Sequence, residues 1–233
     1  MGGGVRRVPR NVLHLPTDEI DETRPWLHPE HASPEGVVGI GGQLRSDVLL
    51  NAYSDGVFPW FNDDEPIIWW SPDPRCIIDF DQFHVPKRLA ATLRKNPFRI
   101  TVNTAFPEVI RACGERLEGT WLTDDMIAAY VELHRMGHAH SLECWAEGEL
   151  AGGIYGVAVG GFFAGESMFF RRTDASKVAL VKLVEHLRLR GFDLFDLQII
   201  NHHTAQFHPV EIPRREYLQR LAAAVAKPGV SFE

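Results

Sequence analysis

Two apolar segments of this chain contain polar side chains that could perform chemistry. The segment 161–170 includes Glu166, and the segment 195–203 includes Asp196 and Gln198. A strand buried on both faces is expected to be apolar throughout, and an unpaired buried carboxylate is costly, so these groups need partners. A single acid of this kind is more often a hydrogen-bonded core residue. Three polar groups on two segments joined by one helix instead predict an active site, because the connection makes the strands neighbours.

Hydrophobic periodicity indicates the elements that must position these groups. Helices are predicted at 46–56, 87–95, 104–116, 123–136 and 176–190, and strands at 37–40, 98–102, 139–145, 151–159, 162–170 and 192–200. Strands in series, then a helix, then one more strand predict an α+β fold with a mixed sheet and flanking helices. Prolines and tryptophans interrupt any long helix in the region before residue 74. We therefore expect a small N-terminal domain at 1–73, including a loose arm, and a larger domain at 74–233.

Composition limits the classes of partner. The chain has 233 residues, 45% of them hydrophobic, and a formal net charge of −7, so it has no global basic field to attract nucleic acid. Any such contact must come from a local patch, for which one helix offers four cations: Lys87, Arg88, Arg94 and Lys95. A plain solvated helix face is the alternative explanation.

The cysteines and the apolar segments predict a cytoplasmic protein. The three cysteines are widely spaced and form no C-x-x-C pattern, which favours reduced thiols. The N-terminus has no apolar targeting segment, and no stretch approaches 18 apolar residues, so neither export nor membrane insertion is expected.

Three familiar motifs are only partly matched. The glycines between positions 152 and 165 lie inside or between predicted strands and do not open a helix, as a dinucleotide site requires. His134 and His138 have metal-ligand spacing, but Gly137 is predicted to end the helix between them. His202, His203 and His208 form a better candidate for metal or acid–base chemistry, although loop histidines are the more common outcome. No metal is expected.

Seven motifs in order carry a resemblance to a known family. They are Tyr53-Ser-Asp-Gly-Val-Phe-Pro-Trp-Phe, Pro66-Ile-Ile-Trp-Trp-Ser-Pro-Asp-Pro-Arg75, Gly119-Thr-Trp-Leu-Thr, Gly137-His-Ala-His-Ser141, Gly165-Glu-Ser-Met-Phe, Asp174-Ala-Ser-Lys177 and Glu211-Ile-Pro-Arg-Arg215. Between about residues 36 and 221 the chain resembles the bacterial leucyl/phenylalanyl-tRNA-protein transferases. The resemblance does not extend to the loop Gln206-Phe-His-Pro209, where members commonly carry Ser-Leu-Gly-Ala, so acceptor preference is left open.

The resemblance implies an enzyme of the N-end rule pathway. Such enzymes move Leu, Phe or Met from charged tRNA to the α-amino group of a protein that begins with Lys or Arg. It also implies a GCN5-related N-acetyltransferase-like mixed sheet with flanking helices, preceded by a small N-terminal α+β domain. Transfer from an ester is downhill, and the sequence has no G-x-x-x-x-G-K-[ST] loop, so no cofactor is expected. The partners would be Leu-tRNA, Phe-tRNA and the acceptor protein, and the chain would act as a monomer.

The same resemblance assigns roles to individual residues. Catalysis falls to Asp196 and Gln198, with Glu166 close by; we expect Gln198 to position the amine while substrate or solvent takes the proton. The positions of the apolar amino-acid pocket are Ile154, Met168, Leu180, Leu183, Leu187 and Phe195, which could also be plain core. Aromatic substrate contacts are expected at Tyr53, Trp60, Trp121 and Tyr130, together with Asn201, and the four cations of the basic helix would contact the tRNA acceptor stem.

Two other functions remain open from the sequence. An acyl-CoA N-acetyltransferase would need a glycine-rich turn for pyrophosphate, and the turn 171–176 has no glycine. A tRNA-binding or degradation-adaptor module that has lost transfer would keep the pocket but not the chemistry. The presence of all three polar residues favours an enzyme.

Overall fold

The computed structural model describes residues 21–115 and 122–233. Its N-terminal part has a three-stranded antiparallel sheet of β1 (Val37–Ile40), β2 (Phe58–Pro59) and β3 (Ile68–Trp70), in the order β1-β3-β2. Helix α1 (Ser46–Ser54) connects β1 to β2 and is followed by Gly56 at φ +77°, which glycine adopts without strain. A Cβ on Gly56 would lie 2.9 Å from Tyr217, so glycine also permits close packing on the C-terminal helix.

The main sheet has seven strands in the order β10-β4-β9-β8-β7-β6-β5. They are β4 (Arg75–Ile78), β5 (Arg99–Val102), β6 (Ala139–Ala146), β7 (Glu149–Val159), β8 (Phe162–Phe170), β9 (Leu194–Gln198) and β10 (Val210–Ile212). Neighbouring strands are antiparallel except β8 and β9, which are parallel because helix α5 (Ala175–Arg190) connects them as a crossover. The predicted α+β fold with a mixed sheet is therefore confirmed.

Helices cover both faces of this sheet and bury two apolar clusters. Helices α2 (Lys87–Lys95) and α5 share one cluster, and the other face packs against α1, α3 (Phe106–Gly114), α4 (Asp124–Arg135) and α6 (Arg214–Val225). Val48 and Trp69 of the N-terminal part belong to the same cluster as Tyr130 and Tyr217. The boundary at residue 73 thus separates segments that share one core, and it stays a prediction. Among the described residues, no helix combines the length and the apolar character needed to cross a bilayer.

Candidate active site

The strands that carry the three predicted catalytic residues separate where those residues lie. Pairing between β8 and β9 runs from Phe162↔Leu194 to Ala164↔Asp196 and ends there, although β8 continues to Phe170 and β9 to Gln198. Glu166 and Gln198 lie just beyond this last pair, one on each side of the opening. Parallel strands that part in this way leave a gap in the sheet that side chains from both edges can line.

Glu166 occupies a β-bulge, which re-aims its side chain. On β7 and β8 the register passes from Tyr155↔Ser167 to Gly156↔Gly165, so Glu166 is the extra residue of the pair. Gln198 Nε2 donates to Glu166 Oε1 at 2.7 Å, across the opening between the strands. The structure therefore brings Glu166 and Gln198 into direct contact.

Two tyrosines hold the other side of the Glu166 carboxylate. Tyr130 Oη of α4 donates to Glu166 Oε2 at 3.3 Å, and Tyr53 Oη of α1 lies 2.5 Å from Tyr130 Oη. Both rings are buried, so neither offers a free face for stacking on a nucleotide base as the sequence suggested; they offer their hydroxyl groups instead. Burial, followed by the charge of Glu166, raises the pKa of both tyrosines well above the ordinary value, which keeps them protonated.

The environment of Glu166 raises its pKa to about 7, mainly because burial disfavours the charged form. Hydrogen bonds from Tyr53, Gln198 and Tyr130 favour the carboxylate and oppose this effect, whereas the charge of Asp196 adds to it. The residue as a whole is half-buried and lies beside the opening between β8 and β9. A partly exposed acid that titrates near neutral pH suits proton transfer.

Asp196 lies in a buried network that the sequence did not predict. Arg75 Nε and Nη2 donate to Asp196 Oδ1 and Oδ2 at 3.0 and 2.7 Å, and Tyr217 Oη donates to Oδ2 at 2.9 Å. Burial alone would lower the pKa of Arg75, but the charge of Asp196 raises it, so the guanidinium stays charged. Asp196 is 0% exposed and fully engaged, which indicates a role in holding neighbouring groups.

Gln198 is held in an unusual backbone conformation at the end of β9. Its φ is +61°, which a residue with a side chain seldom adopts, and its N–H donates to Asp196 Oδ1 at 2.8 Å. The side-chain amide points to Glu166, so one residue links the two carboxylates. Asp196, Gln198 and Glu166 thus form one connected group, and its catalytic role stays a prediction.

The predicted amino-acid pocket lies under α5. Ile154, Leu180, Leu183, Leu187 and Phe195 are all buried in the cluster on that face, and Met168, which pairs with Ile154 across the strands, is partly buried. These side chains contact one another and fill the space between helix and sheet. In this structure the positions form closed apolar core with Met168 at its edge.

The remaining predicted substrate contacts lie at the surface or outside the described residues. Trp60 is 42% exposed, with its ring 5.9 Å from that of Trp70. Trp121 lies outside the described residues. Asn201 is exposed, and its Oδ1 accepts from the backbone N–H groups of His203 and Thr204 at 2.9 and 3.0 Å, so it shapes the loop after β9.

Helix α2 presents the predicted basic patch to solvent. Its four cations, Lys87, Arg88, Arg94 and Lys95, are exposed, whereas Leu89 is buried against the α5 face. Thr92 Oγ1 donates to Asp174 Oδ2 at 3.0 Å, which fixes α2 beside the start of α5. The patch is thus held by packing and remains available for a polyanion.

The loop that departs from the family pattern keeps the conformation that a glycine would favour. His208 has φ +55°, and its ring stacks on that of His84 at 4.3 Å. Phe207 is buried, with its ring 5.6 Å from Phe83. The exposed histidines form no metal site, because nowhere in the described ranges do three His, Cys, Asp or Glu side chains gather around one point. His134 Nδ1 instead lies 2.8 Å from the Ala139 carbonyl oxygen.

Comparison with known proteins places this chain in a family. Residues 77–222 match the model of the leucyl/phenylalanyl-tRNA protein transferases, and residues 42–73 match the model of their N-terminal domain. A leucyl/phenylalanyl-tRNA–protein transferase of Pseudoalteromonas atlantica is 50% identical over 215 residues, which cover 90% of this chain and 92% of that protein. One of Yersinia pestis is 49% identical over 196 residues, 84% of this chain and 83% of that protein.

Similar solved structures are more distant. The C-terminal domain of a putative lysylphosphatidylglycerol synthetase from Agrobacterium fabrum is 14% identical, with a TM-score of 0.41 over 71% of this chain and 62% of that one. L-PGS from Bacillus licheniformis is also 14% identical, with a TM-score of 0.38 over 63% of this chain and 48% of that one. The family models and the close relatives agree over most of the sequence, and the chain belongs to the leucyl/phenylalanyl-tRNA–protein transferase family.

Proposed function

We propose that this chain transfers Leu, Phe or Met from charged tRNA to the α-amino group of proteins that begin with Lys or Arg. Family membership supports the reaction, and the contact of Gln198 with Glu166, a carboxylate with a pKa of about 7, is the observation that carries it. The product would carry a new N-terminal residue that marks it for degradation. We place the protein in the cytoplasm as a monomer.

In the proposed reaction, the nitrogen of the acceptor amine bonds to the acyl carbon while the ester bond to the tRNA ribose breaks. The amine must lose a proton as it attacks, and the ribose oxygen must gain one as it leaves. Glu166 takes the first proton and returns it to the leaving oxygen, while Gln198 orients the amine through its side-chain carbonyl. Asp196 holds Gln198 in place. The energy comes from the ester, so ATP is not needed.

The amino-acid side chain would enter the apolar cluster under α5 through the opening between β8 and β9. Met168 lies at the edge of that cluster, and a flexible thioether can adjust to donors of different shape. The closed core would then open locally when the aminoacyl end binds. The exposed Trp60 and the basic patch of α2 would contact the tRNA end and its acceptor stem.

Enlarging the pocket should change the choice of donor. Leu187→Ala or Leu183→Ala removes contacts that Leu needs more than the larger Phe ring, so we expect the ratio of kcat/KM for Phe over Leu to rise about tenfold. The free energy of unfolding would fall by about 2–5 kcal/mol. Val184→Ala, in the same buried cluster, is the control: it should lower stability and leave the ratio unchanged. An unchanged ratio in a folded Leu variant would show that these leucines are only core.

The basic patch should make tRNA binding depend on salt. Each phosphate contact contributes about 0.7–0.9 to the slope of log K against log salt, so Arg94→Glu with Lys95→Glu should reduce the slope by about 1.5. The control reverses two exposed cations at the end of α5, Arg188 and Arg190. Filter binding of charged tRNA measures both slopes. Equal slopes for wild type and the α2 variant would assign the patch to plain solvated surface.

The test of the function is incubation with Phe-tRNA or Leu-tRNA and a peptide that begins with Arg. We expect the donor amino acid to appear on the peptide N-terminus, and none on the same peptide with an acetylated N-terminus. Binding of tRNA without transfer would favour the adaptor function. Acetylation from acetyl-CoA would favour the acetyltransferase, although Asp174, whose carboxylate lies at the start of α5, disfavours a pyrophosphate there.

A further inference from the structure

We propose that Arg75 is a positioning residue, which holds Gln198 in its reactive orientation by fixing the carboxylate of Asp196. The inference rests on the proposed function and extends it to a residue on β4. Arg75 is 1% exposed and lies at the junction of β4, the N-terminal sheet and α6. It makes no hydrogen bond to Glu166 or to Gln198, so its effect on the geometry of Gln198 passes through Asp196.

The guanidinium of Arg75 is fixed on all sides. Its Nε and Nη2 form a fork on Asp196, and Nη1 donates to the Gly56 carbonyl oxygen at 3.1 Å. The rings of Phe58 and Tyr217 lie 5.0 and 4.4 Å from the guanidinium carbon. A planar fork held by two rings and a carbonyl has little freedom, so it determines how the carboxylate is rotated.

The two oxygens of Asp196 differ in their donors, because only Oδ1 accepts a hydrogen bond from Gln198 N. Arg75 Nε donates to both oxygens, at 3.0 Å to Oδ1 and 3.2 Å to Oδ2. Gln198 N donates to Oδ1 at 2.8 Å, whereas Arg75 Nη2 and Tyr217 Oη donate to Oδ2. Only Oδ1 therefore holds the strained backbone of Gln198 at φ +61°. That backbone aims the side-chain amide at Glu166, 2.7 Å away. Rotation of the carboxylate would release Gln198 N and redirect the amide.

The charge of Arg75 and the geometry of its hydrogen bonds can be tested separately by substitution. Arg75→Lys keeps a cation beside Asp196, but an ammonium is a point charge that cannot bind both oxygens as a fork. Tyr217→Phe removes one donor to Oδ2 and one acceptor 3.3 Å from Arg75 Nη2, but it keeps the ring beside the guanidinium and the contacts of Oδ1, so it is the matched control. Both variants lose hydrogen bonds in the same buried network, and both should lower the melting temperature.

The experiment measures transfer of Phe to an Arg-peptide by wild type, Arg75→Lys, Tyr217→Phe, Gln198→Ala and the double variant Arg75→Lys/Gln198→Ala. We expect Arg75→Lys to lower kcat about tenfold or more with KM for the peptide within about twofold, and Tyr217→Phe to lower kcat less than about threefold. In the Gln198→Ala background, Arg75→Lys should lower kcat by less than about twofold, because its target is already absent. Its effect on the melting temperature should be the same in both backgrounds.

Two results would overturn the proposal, because each describes a purely structural residue. In the first, the fold-losses in kcat of the two single variants multiply in the double variant. In the second, Arg75→Lys and Tyr217→Phe lower kcat equally. If Arg75→Lys does not fold, Phe58→Leu replaces it: this variant removes a ring against the guanidinium and keeps the ion pair. We expect Phe58→Leu to lower kcat about threefold in the wild-type background and to leave kcat unchanged in the Gln198→Ala background. A wild-type chain that transfers nothing would instead overturn the proposed function, and the positioning role with it.

Discussion

Asp196→Asn is expected to lower the rate of peptide transfer about a hundredfold or more, while charged tRNA binds within a few-fold of wild type. The carboxylate holds the backbone of Gln198 and receives both arms of Arg75, so its loss disturbs the reacting geometry and not the surface that meets tRNA. Single-turnover transfer and filter binding on the same preparation measure the two effects. Wild-type turnover in the variant would remove Asp196 from the site.

The same variant should be markedly less stable. An amide at position 196 leaves the Arg75 guanidinium buried without its counter-charge, and breaking a buried ion pair costs about 3–5 kcal/mol. Rates must therefore be corrected for the folded fraction, measured by thermal or urea unfolding. Asp193→Asn is the control: this carboxylate is exposed and pairs with Lys227, so it should cost at most about 1 kcal/mol and leave transfer unchanged.

The contact between the three polar residues of the candidate site could be predicted from the sequence because its signal is local. Glu166, Asp196 and Gln198 interrupt apolar runs, and the helix between the two segments makes their strands neighbours. Arg75 and Tyr217 carry no such signal, since they meet Asp196 only when β4 pairs with β9 and α6 folds over the sheet. Strand β4 has four residues and follows two prolines, so its pattern is too short to predict.

For other residues the sequence could not predict which atoms face the candidate site. Tyr53 and Tyr130 were expected to contact the substrate as aromatic residues, but a residue type does not reveal which way a helix turns it. Here α1 and α4 face each other, so the two hydroxyls meet over Glu166. The apolar positions under α5 are equally ambiguous, because a pocket wall and a core helix share one hydrophobic pattern. His208 shows that a glycine position can be replaced when the new side chain finds a partner, in this case His84.

Glu166→Gln should change the shape of the pH–rate profile as well as its height. In the proposed reaction, transfer requires an ionised Glu166, with a pKa of about 7, and a neutral acceptor amine, whose pKa is about 7.7–8.0. Below both values, log kcat/KM should rise with pH at a slope that approaches about 2. Glutamine cannot titrate, so the variant should be slower and its slope should approach about 1. A slope in the variant equal to that of wild type would mean that Glu166 is not the proton acceptor.

Tyr130→Phe and the pH dependence of stability supply the controls for this assignment. The hydrogen bond from Tyr130 lowers the pKa of Glu166, so its removal should move the acid limb to higher pH and keep the wild-type slope. Burial raises the pKa of Glu166 from 4.5 to about 7, so between these values the folded chain keeps a proton that the unfolded chain has lost. The contribution of Glu166 to the free energy of unfolding should therefore fall as pH rises through this window, and Glu166→Gln should abolish that decline. Agreement between the kinetic pKa and the pH at which the decline in stability ends would identify one carboxyl group as the source of both.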